Sequence, residues 1–134
     1  MTMFGLACVA YATLTPVEYI EITKLVQVEA ARNTKDEYAV AASVMNRVLD
    51  PLFEDSVIEV IHSPGQYAAP ASTVDPKLLA KLSSPAGQLE VCSAIKDLKG
   101  RTDFKGQTQL YWRVPEEDPM FHKKGNFYHY HWQQ

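Results

Sequence analysis

The feature that most constrains the fold is a helical segment that has almost no polar face. Residues 39–48 read Ala-Val-Ala-Ala-Ser-Val-Met-Asn-Arg-Val, so apolar side chains surround nearly the whole helix. A helix of this kind is stable only where neighbouring elements cover it on most sides. We predict that it is the central buried helix of the protein. A capping box at Thr34 would begin it, and Asp50-Pro51 would end it after Leu49.

Four further helix starts are marked by a capping residue that is followed by proline or, three positions later, by glutamate. They lie at Thr15, Ser56, Asp75 and Ser84. We expect the helix from Ser56 to end near His62 and the one from Ser84 to end at Lys99, before Gly100. Residues 63–74 contain two prolines and a glycine and show no periodicity. This pattern predicts a loop, and loops of this length in compact domains are usually binding loops.

The C-terminal quarter has a different character from the rest of the chain. Residues 108–114 and 127–132 are rich in aromatic and other β-prone side chains, which predicts a small aromatic-rich β element. The fold class is therefore mainly α, or α+β if this element is counted. Aromatic rings there could stack on sugar rings or could fill a small second core, and the sequence leaves both open.

Length and charge limit the possible organisation and partners. The 134 residues fit one domain spanning 1–134, with residues 1–13 as an N-terminal extension. Residues 3–12 have the apolar length of a signal peptide but no basic segment before them, so we interpret them as part of the folded domain. The net charge of -3 and the dispersed lysines and arginines lead us to expect no nucleic acid binding. No stretch is long enough to span a bilayer, so we expect no membrane insertion. Oligomeric state is not predicted.

The two cysteines, Cys8 and Cys92, lie far apart and match no metal-ligand spacing. Cys92 shares the apolar stripe of its predicted helix with Leu89 and Ile95, which favours a buried free thiol. A disulfide between the two cysteines is the alternative.

Three C-terminal histidines, His122, His129 and His131, raise the question of a zinc site. His129 and His131 would point the same way from a strand. No further ligand has a diagnostic spacing to them, so exposed histidines on an edge strand are favoured, and no metal or cofactor is expected.

Glu29 is the candidate catalytic residue. In the helix from Thr15 it shares a face with Ile22, Leu25 and Val26, so its carboxyl lies where a fourth core residue is expected. A carboxyl in that position either finds a partner or has its pKa raised, because burial disfavours the charged form. A protonated carboxylic acid can catalyse glycoside cleavage. A structural glutamate at a helix end is the alternative.

Six short segments from residue 14 onward form a pattern known from one family. They are Leu-Thr-Pro at 14–16, Glu-Ala at 29–30, Val-Ala-Ala-Ser-Val-Met-Asn-Arg-Val at 40–48, Ser-Pro-Gly-Gln-Tyr at 63–67, Gly-Gln-Thr at 106–108 and Gly-Asn at 125–126. The pattern resembles the spore-cortex-lytic, SleB-type cell wall hydrolases. The chain departs from that family at residues 29–33, which read Glu-Ala-Ala-Arg-Asn in place of the usual Glu-Ala-Arg-Gly-Glu.

The resemblance implies a lysozyme-like, lytic-transglycosylase-like fold that cleaves peptidoglycan between N-acetylmuramic acid and N-acetylglucosamine. It implies that Glu29 protonates the glycosidic oxygen and then, as a carboxylate, takes the proton of the substrate's attacking C6 hydroxyl. No cofactor is implied. The residues that would line the substrate groove are Gln66, Tyr67, Thr108, Tyr111, Asn126 and Tyr128.

Other functions remain open at this point. A hydrolytic muramidase would use water and a second carboxylate such as Asp75 or Asp103. A non-catalytic peptidoglycan-binding module would keep the groove without turnover, and a zinc amidase would use the histidines. A compact hydrolase without a clear signal peptide is consistent with a phage-encoded endolysin that is delivered to the cell wall. The sequence predicts neither the host nor the peptidoglycan chemotype.

Overall fold

The computed structural model describes residues 2–99 and residue 102, which form six α-helices and, within those residues, no β-strand. The helices are α1 (Met3–Ala12), α2 (Pro16–Glu29), α3 (Asp36–Val48), α4 (Val57–His62), α5 (Pro76–Ser83) and α6 (Pro85–Leu98). The mainly helical class is confirmed for this part of the chain. The predicted β element, at 108–114 and 127–132, lies outside the described residues.

Local capping signals determine where most of the helices begin. Thr15 and Glu18 form the predicted capping box of α2: the Thr15 hydroxyl accepts the Glu18 N–H, and the Glu18 carboxylate accepts the Thr15 N–H. This reciprocal pair satisfies two backbone donors that a helix start leaves without partners. The predicted caps of α4, α5 and α6 are also confirmed. They are Ser56, Asp75 and Ser84.

Helix α3 is the central helix, as its composition predicts. All of its residues except Tyr38 and Val48 are buried, and it packs against α1, α2, α4 and α6. It ends at Val48, one residue earlier than predicted, with Leu49 as its C-cap.

The predicted capping box at the start of α3 is wrong. The N-cap is Lys35, which makes no side-chain capping bond, and the Thr34 hydroxyl donates to the carbonyl of Ala31 instead. Glu37 would have to reach back to complete the box. Its buried carboxylate instead pairs with Lys81 on α5, so a tertiary ion pair replaces the local cap.

Helix α1 packs against α6 and α3. Its Ala7 and Tyr11 are fully buried, and the Tyr11 hydroxyl donates to the carbonyl of Leu82 at 2.8 Å. The Tyr19 hydroxyl donates in turn to the carbonyl of Tyr11. Burial raises the pKa of Tyr11 far above its ordinary value, so its phenol remains a neutral donor. No helix among the described residues is long and apolar enough to cross a membrane.

Cys8 and Cys92 form a disulfide that joins α1 to α6. The expectation of a buried free thiol is therefore wrong, and the alternative is correct. The predicted apolar stripe of α6 is also only partly buried, because Ile95 is fully buried but Leu89 is 73% exposed. Cys92 lies at the border between the two faces of α6, where it reaches Cys8 on the neighbouring helix.

Candidate active site

Glu29 is the last residue of α2, and its side chain is buried. It is only 2% exposed, while Ile22, Leu25 and Val26 on the same face are completely covered. The predicted position of the carboxyl on the apolar stripe is therefore confirmed.

The carboxyl of Glu29 is held by the loop at residues 63–74. Its Oε2 accepts the backbone N–H of Ala68 at 2.7 Å, a distance typical of a hydrogen bond to a charged or strongly polar acceptor. This bond fixes the orientation of the carboxyl relative to the loop. It also joins two segments that lie 39 residues apart in the sequence.

The second half of the same loop is hydrogen-bonded to α2. The Ala71 N–H donates to the carbonyl of Lys24 at 3.0 Å. The side chain of Gln27 bridges the loop end, because its amide nitrogen donates to the carbonyl of Thr73 and its oxygen accepts the N–H of Asp75. These bonds hold the loop beside the helix that carries Glu29.

The first half of the loop contacts α3. Arg47 donates through Nη1 to Oε1 of Gln66 at 3.0 Å, and its guanidinium lies 4.2 Å from the ring centre of Tyr67. The Tyr67 hydroxyl is 2.7 Å from the Ser43 hydroxyl. The Ser43 hydroxyl is also within hydrogen-bond distance of the carbonyl of Val40, at 2.8 Å. Two consecutive loop residues, Gln66 and Tyr67, are thus held by contacts with α3.

Arg47 has contacts on its other side as well. Its guanidinium lies 5.1 Å from the ring centre of Phe53, in the connection after α3, and its Nε donates to the carbonyl of Thr102 at 3.1 Å. The residue is only 6% exposed. Arg47 therefore contacts three segments and is almost completely covered by the protein.

A second charged cluster lies next to the end of α2. Glu37 is completely buried, and its carboxylate pairs with Lys81, with Arg32 at 3.6 Å and with the N–H of Asn33 at 3.1 Å. Arg32 also binds Asp75 at 2.6 Å. That hydrogen bond, assisted by backbone N–H donors, holds the pKa of the Asp75 carboxyl below its usual value. The cluster fixes the turn between α2 and α3 to the start of α5.

The structure brings three predicted site residues together around one loop: Glu29, Gln66 and Tyr67. The other four proposed groove residues, Asp103 and the three C-terminal histidines lie outside the described residues. Among the described residues, no group of three His, Cys, Asp or Glu side chains could hold a metal ion.

Sequence reasoning missed Ser43 and Arg47 as contacts of the loop. A signal was present, because Ser43 and Arg47 lie four apart on a mostly apolar helix and therefore share one face. Polar side chains on a buried helix must find partners, and here the loop supplies some of them.

Comparison with known protein families identifies a related family. A family model described as cell wall hydrolase matches residues 32–131, which is most of the chain. The match begins just after Glu29 and includes α3 with Arg47 and the loop with Gln66 and Tyr67. No curated protein and no solved structure matches the chain. On the family match, the chain belongs to the cell wall hydrolase family.

Proposed function

We propose that the protein cleaves the glycan strand of peptidoglycan between N-acetylmuramic acid and N-acetylglucosamine as a lytic transglycosylase, with Glu29 as its acid and base. Membership of the cell wall hydrolase family supports peptidoglycan as the substrate. The observation that carries the assignment to Glu29 is its carboxyl, which is 2% exposed and held by the Ala68 N–H of the loop.

This environment is suited to proton transfer. A buried carboxyl is surrounded by few water molecules, so its interactions with a bound substrate are stronger than they would be at an exposed site. The bond to Ala68 limits rotation of the carboxyl, so that little reorganisation is needed when the proton moves. Efficient general acid catalysis needs this combination of fixed position and suitable acidity.

The proposed reaction is internally balanced and needs no water. Glu29 donates its proton to the glycosidic oxygen as the bond between that oxygen and C1 of N-acetylmuramic acid breaks. The C6 hydroxyl of the same sugar attacks C1 and gives its proton to the Glu29 carboxylate. The products are a 1,6-anhydromuramic end and a free C4 hydroxyl on N-acetylglucosamine, and Glu29 is again protonated.

A single carboxylate is sufficient for this reaction, so Asp75 is not needed as a second one. The contacts of Asp75 are consistent with this. That residue caps α5 by accepting the N–H groups of Lys77 and Leu78, and it also binds Arg32. These contacts give it a structural role. In a hydrolytic muramidase, a second carboxylate would have to position water.

In this proposal the loop forms one wall of the substrate groove. Gln66 is exposed at the loop, and Tyr67 follows it with its ring against Arg47. Exposed loop residues on a rigid helical scaffold are well placed to contact a ligand. Thr108, Tyr111, Asn126 and Tyr128 would complete the groove.

The test is the Glu29→Gln variant. Glutamine keeps an oxygen that can accept the Ala68 N–H but cannot donate a carboxyl proton. We expect glycan cleavage to fall by about 10²- to 10⁴-fold. The matched control is Glu90→Gln, the same chemical change at an exposed position on α6, which should act like the parent protein.

Product analysis decides between the candidate functions. Mass spectrometry of digested peptidoglycan should show 1,6-anhydromuramic ends from the parent protein. Hydrated reducing ends would instead identify a muramidase. If the parent protein binds peptidoglycan without cleaving it, the protein is a binding module. Parental cleavage by Glu29→Gln would refute the role of Glu29.

A further inference from the structure

We propose that Arg47 is a positioning residue that acts on Glu29 through the loop at 63–74. The proposal rests on the proposed function of Glu29. Arg47 is only 6% exposed, so it is covered by the protein and is not placed to contact a polymeric substrate. Its effect on the reaction must therefore pass through the residues that it holds.

The path from Arg47 to Glu29 is short and continuous. Arg47 holds the Gln66 side chain by a hydrogen bond and the Tyr67 ring by a cation–π contact. The N–H that binds Glu29 belongs to Ala68, the next residue. The peptide bond between Tyr67 and Ala68 is planar, so contacts that restrict the position of Tyr67 also restrict the direction of the Ala68 N–H.

Ser43 supports the same arrangement from α3. It is fully buried, and its hydroxyl forms a hydrogen bond with the Tyr67 hydroxyl. The loop is thus held at its first half by two α3 residues, Ser43 and Arg47, which are one helical turn apart. This is the half that presents the Ala68 N–H.

The chemistry of arginine matters here, because its contacts are of two kinds. The planar guanidinium can stack on an aromatic ring while its edge donates hydrogen bonds to Gln66 and Thr102. A lysine ammonium is a point charge that cannot reproduce both contacts. Arg47→Lys therefore keeps the positive charge but removes the planar group that makes both kinds of contact.

The expected result for Arg47→Lys is a fall in kcat of up to about 100-fold with a smaller change in KM, because a misplaced acid slows the chemical step. The pH–activity profile should also move to higher pH. An N–H donor favours the ionised form of its carboxyl partner, so a weaker bond lets Glu29 keep its proton to higher pH.

Two further variants separate positioning from stability. Ser43→Ala removes one contact of the loop from a buried position and should change kcat and the pH profile in the same direction by a smaller factor. Val91→Ala, a core truncation on α6, should lower the melting temperature while leaving both quantities at parental values for the folded protein. If Arg47→Lys and Ser43→Ala behave like Val91→Ala, the positioning role is refuted.

The Ala68 amide provides a readout that does not depend on turnover. In the parent protein, the ¹⁵N–¹H resonance of Ala68 should shift as Glu29 titrates, and this shift should shrink in Arg47→Lys. An unchanged Ala68 titration in Arg47→Lys would overturn the proposal even if Glu29→Gln is inactive. Parental activity of Glu29→Gln would instead identify a failure of the proposed function itself.

Discussion

Loss of the disulfide between Cys8 and Cys92 should strongly destabilise the protein. The two cysteines are 84 residues apart, and they join α1 to α6. In the chain-entropy model, closing a loop of this length lowers the unfolded-state entropy enough to stabilise the folded protein by about 4.5 kcal/mol. Single domains are usually stable by only about 5–15 kcal/mol, so the disulfide supplies a large share of the total.

The expected change in melting temperature follows from the size of the chain. With an unfolding entropy of about 2.1 cal/mol/K per residue, 134 residues give roughly 0.28 kcal/mol/K. A loss of about 4.5 kcal/mol then lowers the melting temperature by roughly 16 °C. The assay is thermal unfolding of the oxidised protein, the reduced protein and the Cys8→Ser/Cys92→Ser variant.

The double serine variant is also the control for the reductant. It should melt close to the reduced parent protein, and adding reductant should not change it further. Below the melting temperatures of all forms, cleavage should be retained, because Glu29 is held by α2 and the loop rather than by α1. A melting temperature that moves by less than a few degrees on reduction would refute the assigned contribution of the disulfide.

Two further predictions concern the charged cluster at the end of α2. Lys81→Met leaves the fully buried Glu37 carboxylate with Arg32 as its remaining ion-pair partner, so urea unfolding should show a loss of about 3 kcal/mol, and a loss under 0.5 kcal/mol would contradict this. The pKa of Asp75 is lowered chiefly by Arg32, so its folded value lies below its unfolded value. Stability from this carboxyl is therefore present above the unfolded pKa and lost as pH falls through the folded one. Asp75→Asn should flatten the acid limb of a plot of melting temperature against pH, and an unchanged limb would contradict the assignment.

Helix starts could be predicted from the sequence where the capping contacts are local. The caps at Thr15, Ser56 and Ser84 involve residues within three positions of one another, so the sequence contains the whole interaction. The box at Thr34 has the same pattern and fails. Its glutamate, Glu37, instead pairs with Lys81, which lies 44 residues away in the sequence.

The disulfide could not be deduced from periodicity for a related reason. The helical period placed Cys92 on a face with Ile95, but a residue at the border of an apolar stripe can turn to either side. Which side it takes depends on the helix that packs there. The neighbour is α1, whose position depends on contacts that the sequence of α6 does not contain.

Part of the candidate site was predictable, and part was not. The burial of Glu29 follows from its place on the stripe, which is a property of one helix. The contact between Arg47 and the Tyr67 ring depends on how the loop folds back across α3. The sequence indicated a loop at this position and polar residues on α3 that need partners, but it did not indicate that the loop supplies those partners.

Two features of the position of Glu29 disfavour ionisation of its carboxyl. It is the last residue of α2, where the helix dipole is negative, and the last turn of α2 contains no basic residue. Burial adds a further cost to ionisation. The Ala68 N–H is one contact that offsets this cost, and an amide oxygen could also accept that bond.

The Glu29→Gln variant tests whether the carboxyl serves proton transfer, as proposed, or the stability of the fold. If the carboxyl is present for proton transfer, the glutamine variant should lose activity while melting at or above the parental temperature at neutral pH. Paired melting curves of the two proteins, from mildly acidic to neutral pH, provide the measurement. A glutamine variant that is clearly less stable than the parent at neutral pH would show that ionic contacts of Glu29 stabilise the fold. Glu29 would then be a structural residue, and the catalytic acid would have to be sought elsewhere in the chain.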